Sequence, residues 1–144
     1  MASFVKINDF VENAVEAMNL NTDTIAIALS NTAPSSESTP PTGDGAGILA
    51  NVTQISYTNL SSRTLANVTS TQTSGTYKLS ADDLTLTASG GSVATFRYIY
   101  IYNDTVTSPA DPLIGYYDYG SAFTLNDGDT FTIDIGSNGI LTLA

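Results

Sequence analysis

Apolar side chains at the start of the chain recur at spacings of three and four: Phe4, Ile7, Phe10, Val11, Ala14, Val15 and Met18. Asn8, Asp9, Glu12, Asn13 and Glu16 fill the other face. The pattern predicts an amphipathic α-helix over residues 4–18, about four turns long. Acidic residues in its first half suit the positive end of the helix dipole. Its stripe needs a cover, either the chain's own sheet or a groove on a partner. From Ile25 the period changes to two. Ile25, Ile27 and Leu29 alternate with Ala26 and Ala28, a first strand whose second face is small enough for close packing. Short alternating stretches then follow at 48–58, 62–70, 75–80, 83–88, 93–103, 112–119, 121–125, 129–135 and 139–143. Their connections carry turn chemistry: Ser74-Gly75, Ser89-Gly90-Gly91, Asp127-Gly128 and Asn138-Gly139. Closely spaced strands of this kind predict a mainly β fold, an antiparallel β-sandwich (jelly-roll-like or immunoglobulin-like) with one N-terminal amphipathic α-helix. At 144 residues the chain fits a single domain, 1–144.

Two stretches depart from simple alternation. Phe96, Tyr98, Tyr100 and Tyr102 fall on one face of a strand and Arg97, Ile99 and Ile101 on the other, so both faces are largely apolar. Such a strand belongs mid-sheet, covered on one side by an opposing sheet and on the other by the N-terminal helix. Residues 31–47 (NTAPSSESTPPTGDGAG) form a long Pro/Ser/Thr/Gly loop. Ordered loops of this length are often functional, which makes Pro34, Pro40 and Pro41 candidate partner contacts. Tyr116, Tyr117 and Tyr119 add a dense aromatic patch suited to a protein interface or a sugar platform. Strict alternation puts Tyr117 and Tyr119 on one face and Tyr116 on the other.

Composition narrows the function classes. The chain has no histidine and no cysteine. Its absence of both removes the common nucleophile–base pairs, the neutral-pH proton shuttle and the soft metal ligands. A net charge of −10, with four basic residues against fourteen acidic ones, disfavours nucleic acid and anionic membranes as partners. The start lacks the pattern of a secretory signal, and no stretch reaches membrane-spanning length. Asn51, Asn59, Asn67 and Asn103 match the glycosylation tripeptide and read as chance in an Asn- and Thr-rich chain.

The remaining candidate chemistry is carboxylate chemistry. Asn126-Asp127-Gly128-Asp129 resembles a fragment of a calcium loop, but no closing acidic residue follows in register. A hairpin turn accounts for it, leaving a weak cation site near Asp127, Asp129 and Asp134 as the alternative. Asp82 and Asp83 are adjacent, so on a strand they point to opposite faces and cannot act together on one substrate. The expectation is a non-enzymatic protein with no catalytic residue, no cofactor and no metal.

Several segments, in order, resemble a family of small virion-associated structural proteins of tailed bacteriophages. They are FVKINDFVENAVEAMNLNTDTIAIALSNTAP, the hairpin Thr73-Ser74-Gly75-Thr76-Tyr77-Lys78-Leu79, FRYIYIYNDT, DPLIGYYDYGS, LNDGDTFTID and the terminal GILTLA. The resemblance implies a capsid decoration (cement) protein, made in the host cytoplasm and located on the capsid surface of the virion. It implies as partners the major capsid protein or another virion protein, and a homo-oligomer, favouring a trimer. The alternative is a tail, neck or fibre component with a host-polysaccharide-binding surface. A small carboxylate-based hydrolase ranks below both.

Overall fold

A computed structural model describes residues 2–144. Among them, nine strands in antiparallel sheets and one α-helix form the regular structure. In chain order these are β1 (Phe4–Lys6), α1 (Phe10–Glu16), β2 (Ile25–Ser30), β3 (Thr69–Thr73), β4 (Thr76–Ser80), β5 (Leu84–Thr87), β6 (Phe96–Asn103), β7 (Leu113–Phe123), β8 (Thr130–Ile133) and β9 (Leu141–Leu143). The sheets run β1-β7-β6-β2, β3-β4-β9 and β5-β8.

The helix is shorter than its apolar spacing predicts. Phe4, Val5 and Lys6 pair with Tyr117, Tyr116 and Gly115 of β7, and the Ile7 amide continues the pairing to the Ile114 carbonyl. A side chain at Gly115 would collide with the Phe4 ring and the Val5 carbonyl, so that glycine admits the N-terminal strand. Spacings of three and four also contain spacings of two, and β7 offered an edge to pair with. The stripe on α1 is correspondingly narrow. Phe10 is buried and Ala14 partly so, while Val11 and Val15 face outward, Val15 at 86% exposure.

The four-stranded sheet is buried on both faces. Ile25, Ile27 and Leu29 of β2 join Ile99 and Ile101 of β6 in an inner core with Leu79, Leu86 and Ile133 from the other strands and Ile140 just before β9. Ala26 and Ala28 share the opposite face with Tyr98, Tyr100 and Tyr102. Phe96 departs from the strict alternation. The β6–β7 register shifts between Phe96 and Tyr98, and this bulge sends Phe96 into the inner core with the isoleucines.

The cover of the tyrosine face is not the helix. Phe10 packs on the isoleucine side, whereas Ile7, Ala33, Leu49 and Val52 pack on the tyrosines. The loop 31–47 and its continuation therefore lie folded over the sheet. They are fastened by polar side chains. The buried Glu37 carboxylate accepts from the Thr53 amide and hydroxyl, both at 2.7 Å. Asp9 accepts from the Gly45 and Gly47 amides at 2.9 and 2.8 Å rather than capping α1. Buried Ser30 donates to the Thr53 carbonyl and accepts from the Thr32 amide.

Two stretches expected as strands, 48–58 and 62–70, are mostly irregular. The first contains a 3-10 turn at Leu49–Asn51. Residues 54–65 run along the free edge of β2 with isolated bridges at Gln54 and Thr64. There the Arg63 guanidinium donates to the Ile27 carbonyl at 2.6 Å and lies 3.7 Å over the Tyr57 ring. The stretches 112–119 and 121–125 are instead one strand, β7, distorted but unbroken at Gly120.

Candidate functional site

The tyrosines of β7 lie where that strand must absorb a length mismatch. Opposite β6, Phe96 faces Phe123 and Tyr98 faces Asp118, so residues 119–122 span what Arg97 spans alone. Two polar contacts hold the resulting bulge. Arg97 donates to Asp118 from two nitrogens, at 2.7 and 3.0 Å, and the Gly120 amide donates to the same carboxylate at 2.8 Å. Gly120 takes the left-handed region (φ +96°) that the turn requires. The side-chain hydrogen bond from Arg97 holds the Asp118 carboxyl below its ordinary value, helped by the Gly120 amide.

The bulge swings Tyr119 outward, 49% exposed, against the rings of Phe123 (4.7 Å) and Phe131 (5.4 Å). Beside it a groove of about 540 Å³ opens between β1–β7 and the stretch 131–140. Phe4, Tyr117 and Tyr119 line one side, and Phe131, Ile135 and Ile140 line the other. Polar groups are few: Thr132, Asp134, Ser137 and Asn138. Among the described residues, Asp134 is the one charged side chain lining the groove. Burial raises the Tyr117 phenol above its ordinary value, so it stays neutral across the physiological range. A surface of this kind holds apolar or aromatic groups by burial and stacking, with a few polar contacts to orient them.

The six contact candidates do not come together. Tyr117 and Tyr119 line the groove, while Tyr116 lies on the other face with its ring 5.4 Å from that of Tyr100. Pro34 and Pro41 are buried in the folded loop and Pro40 is exposed. Phe4, Phe131 and the turn 136–139 complete the groove without any local motif. The alternation of Phe131 with Ile133 and Ile135 was the available signal, and it marks a buried face without revealing that part of that face stays open.

The carboxylates of the conspicuous motifs are engaged in holding turns. Asp82 accepts from the Asn67 side chain at 2.7 Å, and Asp83 from the Ile135 amide at 2.8 Å. Asp127 accepts from the Gly90 amide at 3.0 Å, and Asp129 accepts from the Asn126 amide at 3.0 Å in a turn that is not the expected hairpin, because it carries the chain from β7 to β8, strands of different sheets. Among the described residues, no group of three or more Asp or Glu side chains converges in a metal-binding arrangement. The Thr22-Asp23-Thr24 and Asn103-Asp104-Thr105 segments meet at one end of the sheet. There the buried Asn103 amide donates to Asp23 at 2.8 Å while its carbonyl oxygen accepts from the Thr105 and Val106 amides.

The chain matches no protein-family profile, no curated protein and no solved structure.

Proposed function

We propose that this chain is a non-enzymatic virion protein of a tailed bacteriophage that binds the outer capsid surface and stabilises the assembled head, with its strands stacked as a two-layer β-sandwich. One observation carries the reading. The conspicuous polar motifs are engaged in fastening the chain to itself, and the large aromatic surface left open is the Tyr119 groove. A protein built this way works by docking. The sequence resemblance to virion-associated proteins supplies the setting, and an acidic exterior suits a protein that stays clear of packaged DNA.

The mechanism is mass action. Binding only the assembled lattice lowers the free energy of that lattice relative to its separated subunits. Docking side chains would enter the groove between Tyr119 and Ile135, and the Arg97–Asp118 pair would keep Tyr119 in position before contact. Quantitative mass spectrometry of virions tests the reading together with a Tyr119→Ala variant added to heads lacking the chain. Hundreds of copies per particle and reduced occupancy of the variant are expected. Absence from mature particles, or turnover of a small molecule by the purified chain, overturns it.

A second reading rests on Tyr119 sharing one groove with Asp134 and Asn138, a combination that can stack on and hydrogen-bond a sugar ring. It makes the chain a tail, neck or fibre component binding host polysaccharide. Three, six or twelve copies per particle, with binding to a glycan array, favours it over decoration.

A further inference from the structure

The sheet edges of this chain are not equally guarded. Exposed edges invite pairing with other chains, and proteins usually blunt them by shortness, charge, proline or a cover. On the four-stranded sheet, β1 is three residues long and ends in Lys6, and the β2 edge is covered by residues 54–65. Ser61 caps β5 through two hydrogen bonds with Thr87. β8 is four residues long and flanked by Asp129 and Asp134, and β9 has three residues. β3 carries none of these devices. It has five residues, Thr-Ser-Thr-Gln-Thr, at the edge of its sheet. It contains no charge and no proline, and its register with β4 is unbroken.

We infer that β3 is an association edge through which two copies of this chain pair antiparallel about a two-fold axis at Thr71. The hairpin geometry fixes which groups face outward. Ser74 and Gly75 both take positive φ (+51° and +82°), the signature of a tight two-residue turn. Thr73 and Thr76 flank it and bond to each other, so Thr69, Thr71 and Thr73 direct their backbone groups toward β4. The N–H and C=O of Ser70 and Gln72 point the other way. Their side chains are used inside the hairpin, Ser70 on the Tyr77 hydroxyl and Gln72 on the Gly75 amide, and do not block those groups. In the paired edge, Ser70 of one copy lies opposite Gln72 of the other and exchanges backbone hydrogen bonds with it. Thr71 meets its own counterpart.

Charge selects a second copy as the occupant. At a net charge of −10, two copies repel each other over most of their surfaces, yet residues 64–77 contain no charged side chain. The strip is also self-complementary, as a two-fold contact requires. Pairing joins the two three-stranded sheets into one continuous sheet.

The chain has no cysteine, so a single introduced thiol reports cleanly. Thr71→Cys places two thiols on facing residues about 4.5 Å apart at Cα, within disulfide reach. Thr142→Cys is the control, on the same face two strands away. Under mild oxidation the Thr71 variant is expected to form covalent dimers about tenfold faster than the control. Thr71→Glu can pair with its neighbour Lys78 within the hairpin but opposes a second glutamate across the axis. It is expected to raise the dimer dissociation constant about tenfold by analytical ultracentrifugation. Equal cross-linking of the two cysteine variants, unchanged association of Thr71→Glu, or a wild-type chain sedimenting as a monomer or trimer overturns the proposal.

Discussion

The two faces of the four-stranded sheet are buried by different physics. On the isoleucine face, side chains from β2 and β6 interdigitate with those of β4, β5, β8 and β9, and the contacts are almost all apolar. On the tyrosine face the cover is irregular chain, held by Glu37, Asp9 and Ser30 through hydrogen bonds to backbone. Apolar burial is non-directional and tolerates approximate placement, whereas a carboxylate bridging two donors works only in one arrangement. Apolar packing of Ile7, Leu49 and Val52 on the tyrosines adds burial on the second face too, and the directional contacts there fix the loop's path.

The largest effect that separates the faces should come from Phe96→Ala. Phe96 is fully buried against Phe123 and Phe131, and its truncation should cost about 4 kcal/mol in denaturant unfolding. Glu37→Ala should cost about 2 kcal/mol, because it removes the buried carboxylate that accepts charge-assisted hydrogen bonds from the Thr53 amide and hydroxyl. Its signature should be regional. Hydrogen exchange should quicken across residues 33–53 while β2 and β6 stay protected.

Tyr100→Phe should do the opposite. The Tyr100 hydroxyl is buried beneath the loop with no hydrogen-bond partner among the described residues. Burial pushes this phenol well above its ordinary value, with the nearby Glu37 charge adding to the effect. Removing the hydroxyl should raise stability by about 1 kcal/mol, read as a higher denaturation midpoint with the slope unchanged.

The smallest effect is electrostatic. Asp118 titrates lower in the folded chain than in the unfolded one, chiefly because of Arg97. Its contribution is complete above the unfolded value of about 3.9 and fades as pH falls through the lower folded value. The pair is exposed, so the loss should be a slight drop in melting temperature below that pH, weakened by salt and missing in Asp118→Asn.

How far the sequence could be read follows the same division. The alternation in Ile25–Ser30, the doubly apolar strand through Tyr98 to Tyr102, and the Ser-Gly and Asp-Gly turns identify a mainly β chain with a central strand, because local period and turn chemistry encode those features. The latches were not legible. Glu37 and Thr53 are sixteen residues apart and Asp9 and Gly47 thirty-eight, and no local pattern links an acidic loop residue to the amide it will serve. The helix start at Phe10 and the inward turn of Phe96 failed for a related reason. Both depend on β7, through its free edge at Gly115 and its surplus of residues at 119–122. The groove was half legible: Tyr117 and Tyr119 stood out, while Phe4 and Phe131 reach it only through tertiary pairing.

Under the proposed reading the working surface is the groove at Tyr119, on the side of the sheet that the chain's own loop does not close. Hydrogen exchange compared between the free chain and the chain bound to assembled heads tests this most directly. New protection is expected at residues 117–123 and 131–140, with residues 33–53 unchanged. Protection centred on 33–53, or none at the groove, would contradict it.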